Sequence, residues 1–301
     1  MKALILALST YSRIPMPQMT AQDYEKARDS VLLFFPVVGL IEGLWQTLLL
    51  LLSLYLLGDR IYLAAIIVYA AHILITGGIH LDGYMDMADA RASHAGRDRQ
   101  LEIMKDPSSG AFAVIALVML TLLRLGMDYE LISCCSRADA SMQACIVISL
   151  IWLPFYVRVL SARLVVSLPK ARKWGMAAEM TRKDRNLQPG LKLMCIAGGI
   201  VYVLMMAGLL LYGLMQAQPQ RAAVSALQCA ACAPPLVYVV AAVEGLGVPI
   251  LCLASYHWHK ADYMKRYGGV TGDMAGEFLE RTLSLGLMLL TLAAIVIGRA
   301  A

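Results

Sequence analysis

Long apolar runs alternate with shorter polar segments along this chain of 301 residues. Most of these runs approach or exceed the roughly 20 apolar residues that cross the core of a bilayer. They cover residues 31–57, 61–79, 111–127, 142–168, 191–215 and 282–298, and one more, 222–254, is interrupted by Pro234, Pro235, Glu244 and Pro249. The pattern predicts an all-α fold, a polytopic integral membrane helical bundle with about seven transmembrane spans.

The interrupted run at 222–254 is long for one crossing, and two arrangements are open for it. The run is either a kinked span or a re-entrant hairpin. A hairpin would place the basic segment 255–281 on the opposite side of the membrane, against its own charge. We therefore predict one broken crossing.

Composition supports a membrane protein. Hydrophobic residues make up 59% of the chain and charged residues only 16%, far from the balance of a soluble domain. We expect a single membrane-embedded domain over residues 1–301, with the short apolar start retained because no small-residue cleavage site follows it. Cys229 and Cys232 lack a second cysteine pair or a nearby histidine pair, so zinc is not expected. We also expect no nucleic-acid partner, and a homo-oligomer is left open.

The basic residues are distributed unevenly. Most of the 26 Lys and Arg residues lie in four polar segments, 1–30, 80–110, 169–190 and 255–281. Because Lys and Arg mark the cytoplasmic loops of membrane proteins, these four segments are predicted to share the cytoplasmic side.

The segment 77–110 concentrates acidic residues between two apolar runs. Asp82, Asp86 and Asp89 are spaced i, i+4, i+7, so on a helix they fall within about 60° of one another. Three like charges on one face repel, and burial of apolar surface does not explain them. Mg²⁺ prefers a few carboxylate oxygens together with water and phosphate oxygens. The spacing therefore predicts that these three residues bind Mg²⁺.

The same segment also carries cations. Arg97 and Arg99 precede the run that ends with Lys105 and Asp106. Carboxylates beside Arg and Lys are typical of sites that act on phosphates. His80, next to the first carboxylates, is a candidate acid–base or substrate-binding group. The alternative is an ordinary charged loop between spans, and a second acidic segment argues against it.

That second segment repeats the spacing of the first. Gly77 to Asp89 and Gly268 to Glu280 both have the pattern GG-[IV]-x-x-D-x3-[DE]-x2-[DE]. The glycines permit close backbone approach or positive φ, as a turn facing a phosphate needs. Although chance similarity is the alternative, two acidic faces on one side of the membrane are well placed to share one site. Asp273 and Glu277 would then bind a second Mg²⁺ or accept a proton.

Four motifs together resemble one family. GGIHLDGYMDMADA at 77–90, LEIMKD at 101–106 and GGVTGDMAGEFLE at 268–280 are similar to motifs of cobalamin synthase, also called adenosylcobinamide-GDP ribazoletransferase. The resemblance extends to SRIPMP at 12–17 and FPVVG at 35–39, and covers essentially the whole chain. Ala90 stands where the family usually has Gly, and PSSG at 107–110 replaces a Ser-Arg-Ile-Gly run, so the anionic contact of that missing Arg falls to Arg97 or Arg99.

The resemblance implies a multi-pass enzyme of the cell inner membrane, with its active site facing the cytoplasm. It would join adenosylcobinamide-GDP to α-ribazole, or to its 5′-phosphate, and release GMP in the final assembly step of cobalamin biosynthesis. Mg²⁺ is the implied cofactor. The site set is catalytic Asp82, Asp86, His80, Lys105 and Asp273, substrate-binding Arg97, Arg99, Asp106, Gly269, Thr271 and Glu277, and metal-binding Asp82, Asp86 and Asp89.

Two other functions are compatible with the sequence. A CDP-alcohol-type phosphotransferase acting on a lipid uses a similar acidic motif and the same chemistry of charge neutralisation and in-line attack. A membrane transporter would account for Glu42, Arg158 and Glu244 inside predicted spans. Against a transporter, the acidic and basic clusters gather at one face of the membrane.

Overall fold

The protein is a helical bundle in this computed structural model, which describes the backbone of residues 1–138, 140–181, 186–223 and 235–300. Within these ranges the side chains of 141–142, 210, 213–223, 235–243 and 297–300 are not described. The helices are α1 (Lys2–Tyr11), α2 (Ala21–Arg28), α3 (Val31–Leu57), α4 (Ile61–Thr76), α5 (Ile79–Ala92), α6 (Arg97–Ile103), α7 (Ala111–Arg137), α8 (Ala140–Ser167), α9 (Met176–Glu179), α10 (Gln188–Ala223), α11 (Pro235–Tyr267) and α12 (Gly272–Ala300). The prediction of an all-α membrane protein is confirmed.

Five helices of the described chain are long and apolar enough to cross a membrane by themselves, namely α3, α7, α8, α10 and α12. Helices α4 and α5 pass the same criterion only as a pair, and the pair is bent by 91°. The bend falls at Gly77 and Gly78, whose positive φ values of 65° and 75° suit glycine. Because α5 carries the acidic motif and turns away from α4, we place it outside the spans. The predicted count of seven is not confirmed.

Two predicted boundaries differ from the structure. The polar loop expected after residue 127 is helical, because α7 continues to Arg137 and buries Asp128 inside the bundle. Residues 1–30, predicted as a polar segment with a short apolar start, include α1, which packs Leu6 and Leu8 into the core.

The interrupted segment 222–254 contains no hairpin in its described part. Residues 235–254 belong to the continuous helix α11, which runs on to Tyr267. Residues 224–234 of this segment, with Cys229 and Cys232, lie outside the described residues.

Small residues allow the long helices to approach closely. A Cβ atom added at Gly39 of α3 would lie 2.3 Å from the Pro154 carbonyl oxygen of α8, and one at Gly43 would lie 2.7 Å from the Ile151 Cα. Backbone contact of this kind gives membrane helices their packing energy, since lipid supplies little hydrophobic drive. Helices α3 and α8 therefore form a rigid wall of the bundle.

Four ionisable side chains inside the bundle are paired with one another. Glu42 of α3 forms an ion pair with Arg158 of α8, and its Oε1 lies 2.8 Å from His72 Nδ1 of α4. The other ring nitrogen of His72 lies 3.1 Å from Glu280 Oε1 of α12. All four side chains are buried. Glu42 and Arg158, which suggested a transporter, are thus two members of a chain of contacts that joins four helices.

Polar connections gather at one end of the bundle. The backbone N–H of Arg13 donates to Ile75 O at 2.8 Å, which ties the turn after α1 to the end of α4. Lys170, after α8, pairs in a short parallel bridge with Val270, before α12. The same end therefore collects the polar segments on which the sequence placed its candidate site.

Candidate active site

The two acidic motifs pack directly against each other. A Cβ atom added at Gly83 of α5 would lie 2.8 Å from the backbone oxygen of Asp273, and one at Gly276 of α12 would lie 3.0 Å from that of His80. Only glycine at these positions lets the two backbones come so close. The predicted proximity of the two motifs is confirmed, and a shared metal site stays a prediction.

The glycine pair of the second motif docks on the chain after α8. The backbone N–H of Val270 donates to Pro169 O at 2.9 Å, and that of Ala171 donates to Val270 O at 3.1 Å. A Cβ atom at Gly269 would lie 2.4 Å from the same Pro169 oxygen. Gly269, predicted to bind substrate, therefore allows the backbone of the segment after α8 to pack closely against it.

These backbone hydrogen bonds place the side chain of Arg172 beside the acidic cluster. Its Nη1 donates to Asp273 Oδ2 at 3.1 Å and its Nη2 donates to Leu101 O at 2.8 Å. The guanidinium thus joins α12 to the end of α6. Sequence reasoning noted only a basic segment at 169–190 and did not single out Arg172. The cluster of cations in this segment could have indicated such a contact, but it does not identify which side chain faces the acidic residues.

A cavity of about 210 Å³ lies where these elements meet. Asp82, Asp273 and Arg172 line one part of it, together with the backbone at the start of α12. The rest of its wall is largely apolar and includes the rings of Tyr11 and Phe35. The cavity wall therefore has a charged part and an apolar part, and the apolar part is called its apolar end.

The side chains of Asp82 and Asp86 have no hydrogen-bond or ion-pair partner within the described chain. Asp82 is exposed and Asp86 is partly buried. Burial and the neighbouring carboxylates of Asp273 and Asp82 raise the pKa of Asp86 to about 7. Two neighbouring carboxylates whose oxygens accept no hydrogen bond form a donor set that suits a hard divalent cation.

The described residues contain no group of three or more His, Cys, Asp or Glu side chains arranged to hold a metal ion. Mg²⁺ needs fewer protein ligands than three, since it commonly takes one or two carboxylates and fills its remaining positions with water and substrate phosphates. The residues present fit such a cation at Asp82 and Asp86.

Asp89, the third predicted metal ligand, has another contact. Its Oδ1 accepts a hydrogen bond from the backbone N–H of Ala113 at 2.8 Å, and its Oδ2 accepts one from Gly110 N–H at 2.5 Å. Both donors belong to the start of α7, whose N–H groups otherwise lack partners. Asp89 therefore anchors α7 to the acidic helix.

Glu277, predicted to bind substrate, lies in a buried network. Its Oε2 accepts hydrogen bonds from Tyr263 Oη at 2.8 Å and from Arg91 Nη2 at 3.1 Å, and Arg91 also contacts Asp262. Arg281 Nε lies 3.0 Å from its other oxygen. Glu277 is fully buried and does not line the cavity. Its contacts hold α5, α11 and α12 together.

Arg97 and Arg99, both predicted to bind substrate, have different surroundings. The Arg97 guanidinium lies beside the second motif, since its Nη2 would be 3.5 Å from a Cβ atom at Gly268. Arg99 faces its own helix and pairs with Glu102 at 3.0 Å on the surface.

Lys105 and Asp106 lie on an exposed turn and do not line the cavity. Asp106 Oδ1 accepts a hydrogen bond from Ser108 N–H at 2.9 Å, and this bond lowers the pKa of Asp106. This turn is therefore not part of the cluster of charged residues that lines the cavity.

His80 and Thr271 both line the cavity. The His80 ring lies between the rings of Tyr11 and Phe35, with centroids 6.4 Å and 5.7 Å away. Burial, with the nearby Arg158, lowers the pKa of His80 to about 3, so this imidazole is neutral. Thr271 Oγ1 donates to Asp273 Oδ2 at 3.3 Å and accepts from Met274 N–H at 3.3 Å, which fixes the first turn of α12.

Known proteins match the chain along most of its length. A family model described as cobalamin-5-phosphate synthase matches residues 3–292. The adenosylcobinamide-GDP ribazoletransferase of Pseudomonas savastanoi pv. phaseolicola is 32% identical over 263 residues, 87% of each chain. That of Lachnoclostridium phytofermentans is 31% identical over 93% of this chain and 90% of its own. That of Pseudomonas entomophila is 32% identical over 95% of this chain and 98% of its own.

No solved structure matches the chain. The match to the family model spans nearly all of the residues that form the cavity and the helices around it. The chain therefore belongs to the cobalamin-5-phosphate synthase family.

Proposed function

We propose that this chain is an adenosylcobinamide-GDP ribazoletransferase that joins adenosylcobinamide-GDP to α-ribazole, or to its 5′-phosphate, in the final assembly of cobalamin. The family and the names of the curated relatives support this assignment. The observation that carries it is the cavity in which Asp82 and Asp273, one from each acidic motif, meet the guanidinium of Arg172.

The reaction transfers a phosphoryl group. A hydroxyl oxygen of α-ribazole forms a bond to the phosphorus attached to the cobinamide. The bond from that phosphorus to the bridging oxygen breaks, and GMP leaves with the electron pair. Such a reaction mainly requires alignment of the two reactants and stabilisation of phosphate charge.

Cavity residues supply these requirements. Arg172 and the N-terminal end of α12 present positive charge and backbone N–H groups to diphosphate oxygens. Asp82 and Asp86 would hold Mg²⁺, which when bound neutralises part of the diphosphate charge. The hydroxyl proton passes to a carboxylate that lines the same space, since the lowered pKa of His80 makes that imidazole a weak base.

A direct assay tests the assignment. The purified full-length protein in nanodiscs is incubated with adenosylcobinamide-GDP, α-ribazole and Mg²⁺, and GMP and adenosylcobalamin are measured by chromatography and mass spectrometry. We expect equal amounts of the two products, no product without α-ribazole, and loss of turnover when Mg²⁺ is chelated. Product formation from a CDP-alcohol and lipid mixture, with none from the corrinoid substrate, would instead support a lipid phosphotransferase.

The site is proposed to face the cytoplasm from the cell inner membrane. The basic segments that surround the cavity support this orientation under the positive-inside rule. Single cysteines introduced at Ala95 and Lys265 should react with an impermeant reagent from the cytoplasmic side, and one at Gly58 from the other side. Labelling of Ala95 and Lys265 positions from opposite sides would contradict the orientation.

A further inference from the structure

The apolar end of the cavity is built from buried side chains that the reaction chemistry does not use. Leu32 of α3, Val165 of α8 and Met180 after α9 form its wall, and each is less than a tenth exposed. The rings of Tyr11 and Phe35 complete it, with centroids 4.4 Å apart. Flat apolar walls of this kind favour an aromatic ligand.

The cavity has room for a bicyclic ring. Its volume is about 210 Å³, whereas one water needs only about 10–15 Å³ by a comparable measure. An empty apolar space of this size sacrifices packing contacts unless a ligand restores them.

Polar side chains at this end are few, namely the imidazole of His80 and the hydroxyls of Tyr11 and Ser161. His80 is 5% exposed, and its ring makes no hydrogen bond to the described part of the chain. Ser161 also lines the cavity, but its hydroxyl donates to the Ala275 carbonyl oxygen at 3.3 Å. A ligand with several polar edge groups would leave them without partners here, at a cost in binding.

We propose that this apolar end binds the heterocyclic base of the acceptor, α-ribazole, and that His80 contacts its one free ring nitrogen. This inference rests on the proposed function. A dimethylbenzimidazole offers one ring nitrogen and two methyl groups, which matches one imidazole and an apolar wall. Guanine, with its exocyclic amino and oxo groups, matches this end poorly. The base of the acceptor is thereby buried, and its ribose hydroxyls point to Asp82, Asp273 and Arg172.

The methyl groups provide the test. Full-length protein in nanodiscs is assayed by equilibrium dialysis and by GMP release with α-ribazole and with the riboside of unmethylated benzimidazole. Burial of each methyl should tighten binding about fourfold, so α-ribazole should bind about 15-fold better. Met180→Ala should reduce this preference to about fourfold or less and leave the KM for adenosylcobinamide-GDP unchanged. Met205→Ala, on the exposed face of α10, is the matched control and should change neither quantity.

The results that would overturn this inference differ from those that would refute the proposed reaction. Equal binding of the two ribosides by the wild-type protein would overturn the inference. If Met180→Ala raises only the KM for adenosylcobinamide-GDP, the inference is also overturned, and part of that substrate is the occupant. Leu32→Val, a smaller change in the same wall, replaces Met180→Ala in this test if the Met180→Ala protein does not fold. A methyl preference in dialysis without any GMP release would support the pocket and refute the proposed reaction.

Discussion

Arg172 Nη1 donates a hydrogen bond to Asp273 Oδ2 over 3.1 Å, and so joins the chain after α8 to the first turn of α12. The other terminal nitrogen of Arg172 donates to Leu101 O at the end of α6. One guanidinium therefore holds the start of the second acidic motif against the end of α6. A planar fork with two contacts of this kind has no equivalent in a lysine ammonium.

Replacement of Arg172 should impair turnover more than folding. Arg172→Lys keeps the charge but loses one of the two contacts, and we expect kcat/KM to fall about 100-fold, as a displaced reacting group typically costs. Melting temperature should change little because Arg172 is partly exposed. Lys173→Gln alters the exposed neighbouring cation and is the control. Equal activity of Arg172→Lys and wild type would remove Arg172 from the site.

The carboxylates Asp82 and Asp273 should act on one transition state. Asp82→Asn and Asp273→Asn are each expected to lower kcat about 100-fold or more, because each removes charge from the metal and phosphate site. Residues that act as a unit are strongly non-additive, so the double variant should be little worse than the poorer single variant. Asp59→Asn, in the turn after α3, is the control. Multiplicative losses in the double variant would indicate separate sites.

Gly83 tests the close approach of the two motif helices. An alanine Cβ there would lie 2.8 Å from the backbone oxygen of Asp273 and 2.9 Å from its Cα, so the backbone itself must move. We expect Gly83→Ala to lower the free energy of unfolding by about 1–3 kcal/mol and to reduce kcat as Asp273 is displaced.

The matched change for Gly83 is Gly126→Ala, since a Cβ at Gly126 of α7 meets no atom within 4 Å. Alanine is the better helix former, so this variant should be neutral or more stable by up to about 1 kcal/mol. Thermal unfolding in detergent and GMP release measure both effects. An active, stable Gly83→Ala protein would be inconsistent with the packing of α5 on α12.

Asp89 is expected to stabilise the fold without binding the metal. Asp89→Ala removes both acceptors at the start of α7 and should cost about 1–2 kcal/mol of stability, with the Mg²⁺ concentration for half-maximal activity unchanged. Asp86→Asn should do the reverse, raising that Mg²⁺ requirement while leaving stability intact or improved. A raised Mg²⁺ requirement in Asp89→Ala would return Asp89 to the ligand set.

The sequence by itself determined the membrane class, most of the span positions and the two acidic motifs. Apolar runs of sufficient length must be helical in a bilayer, because every backbone polar group needs an internal partner there. Helix α3 accordingly has the predicted bounds, Val31–Leu57. The matched spacing of carboxylates also predicted that the two motifs share a site, since like charges on one helical face are costly without a common counter-charge.

Only the tertiary structure decided what each charged residue contacts. Spacing places Asp89 on the same face as Asp82, but the start of α7, distant in sequence, provides its partners. Glu277 repeats the position of Asp86 in the motif, yet Arg91 and Tyr263 from other elements bind it. Arg172 reaches Asp273 through the pairing of Pro169 with Val270. Such contacts depend on how separate helices pack, and the local pattern of one segment carries no information about its neighbours in space.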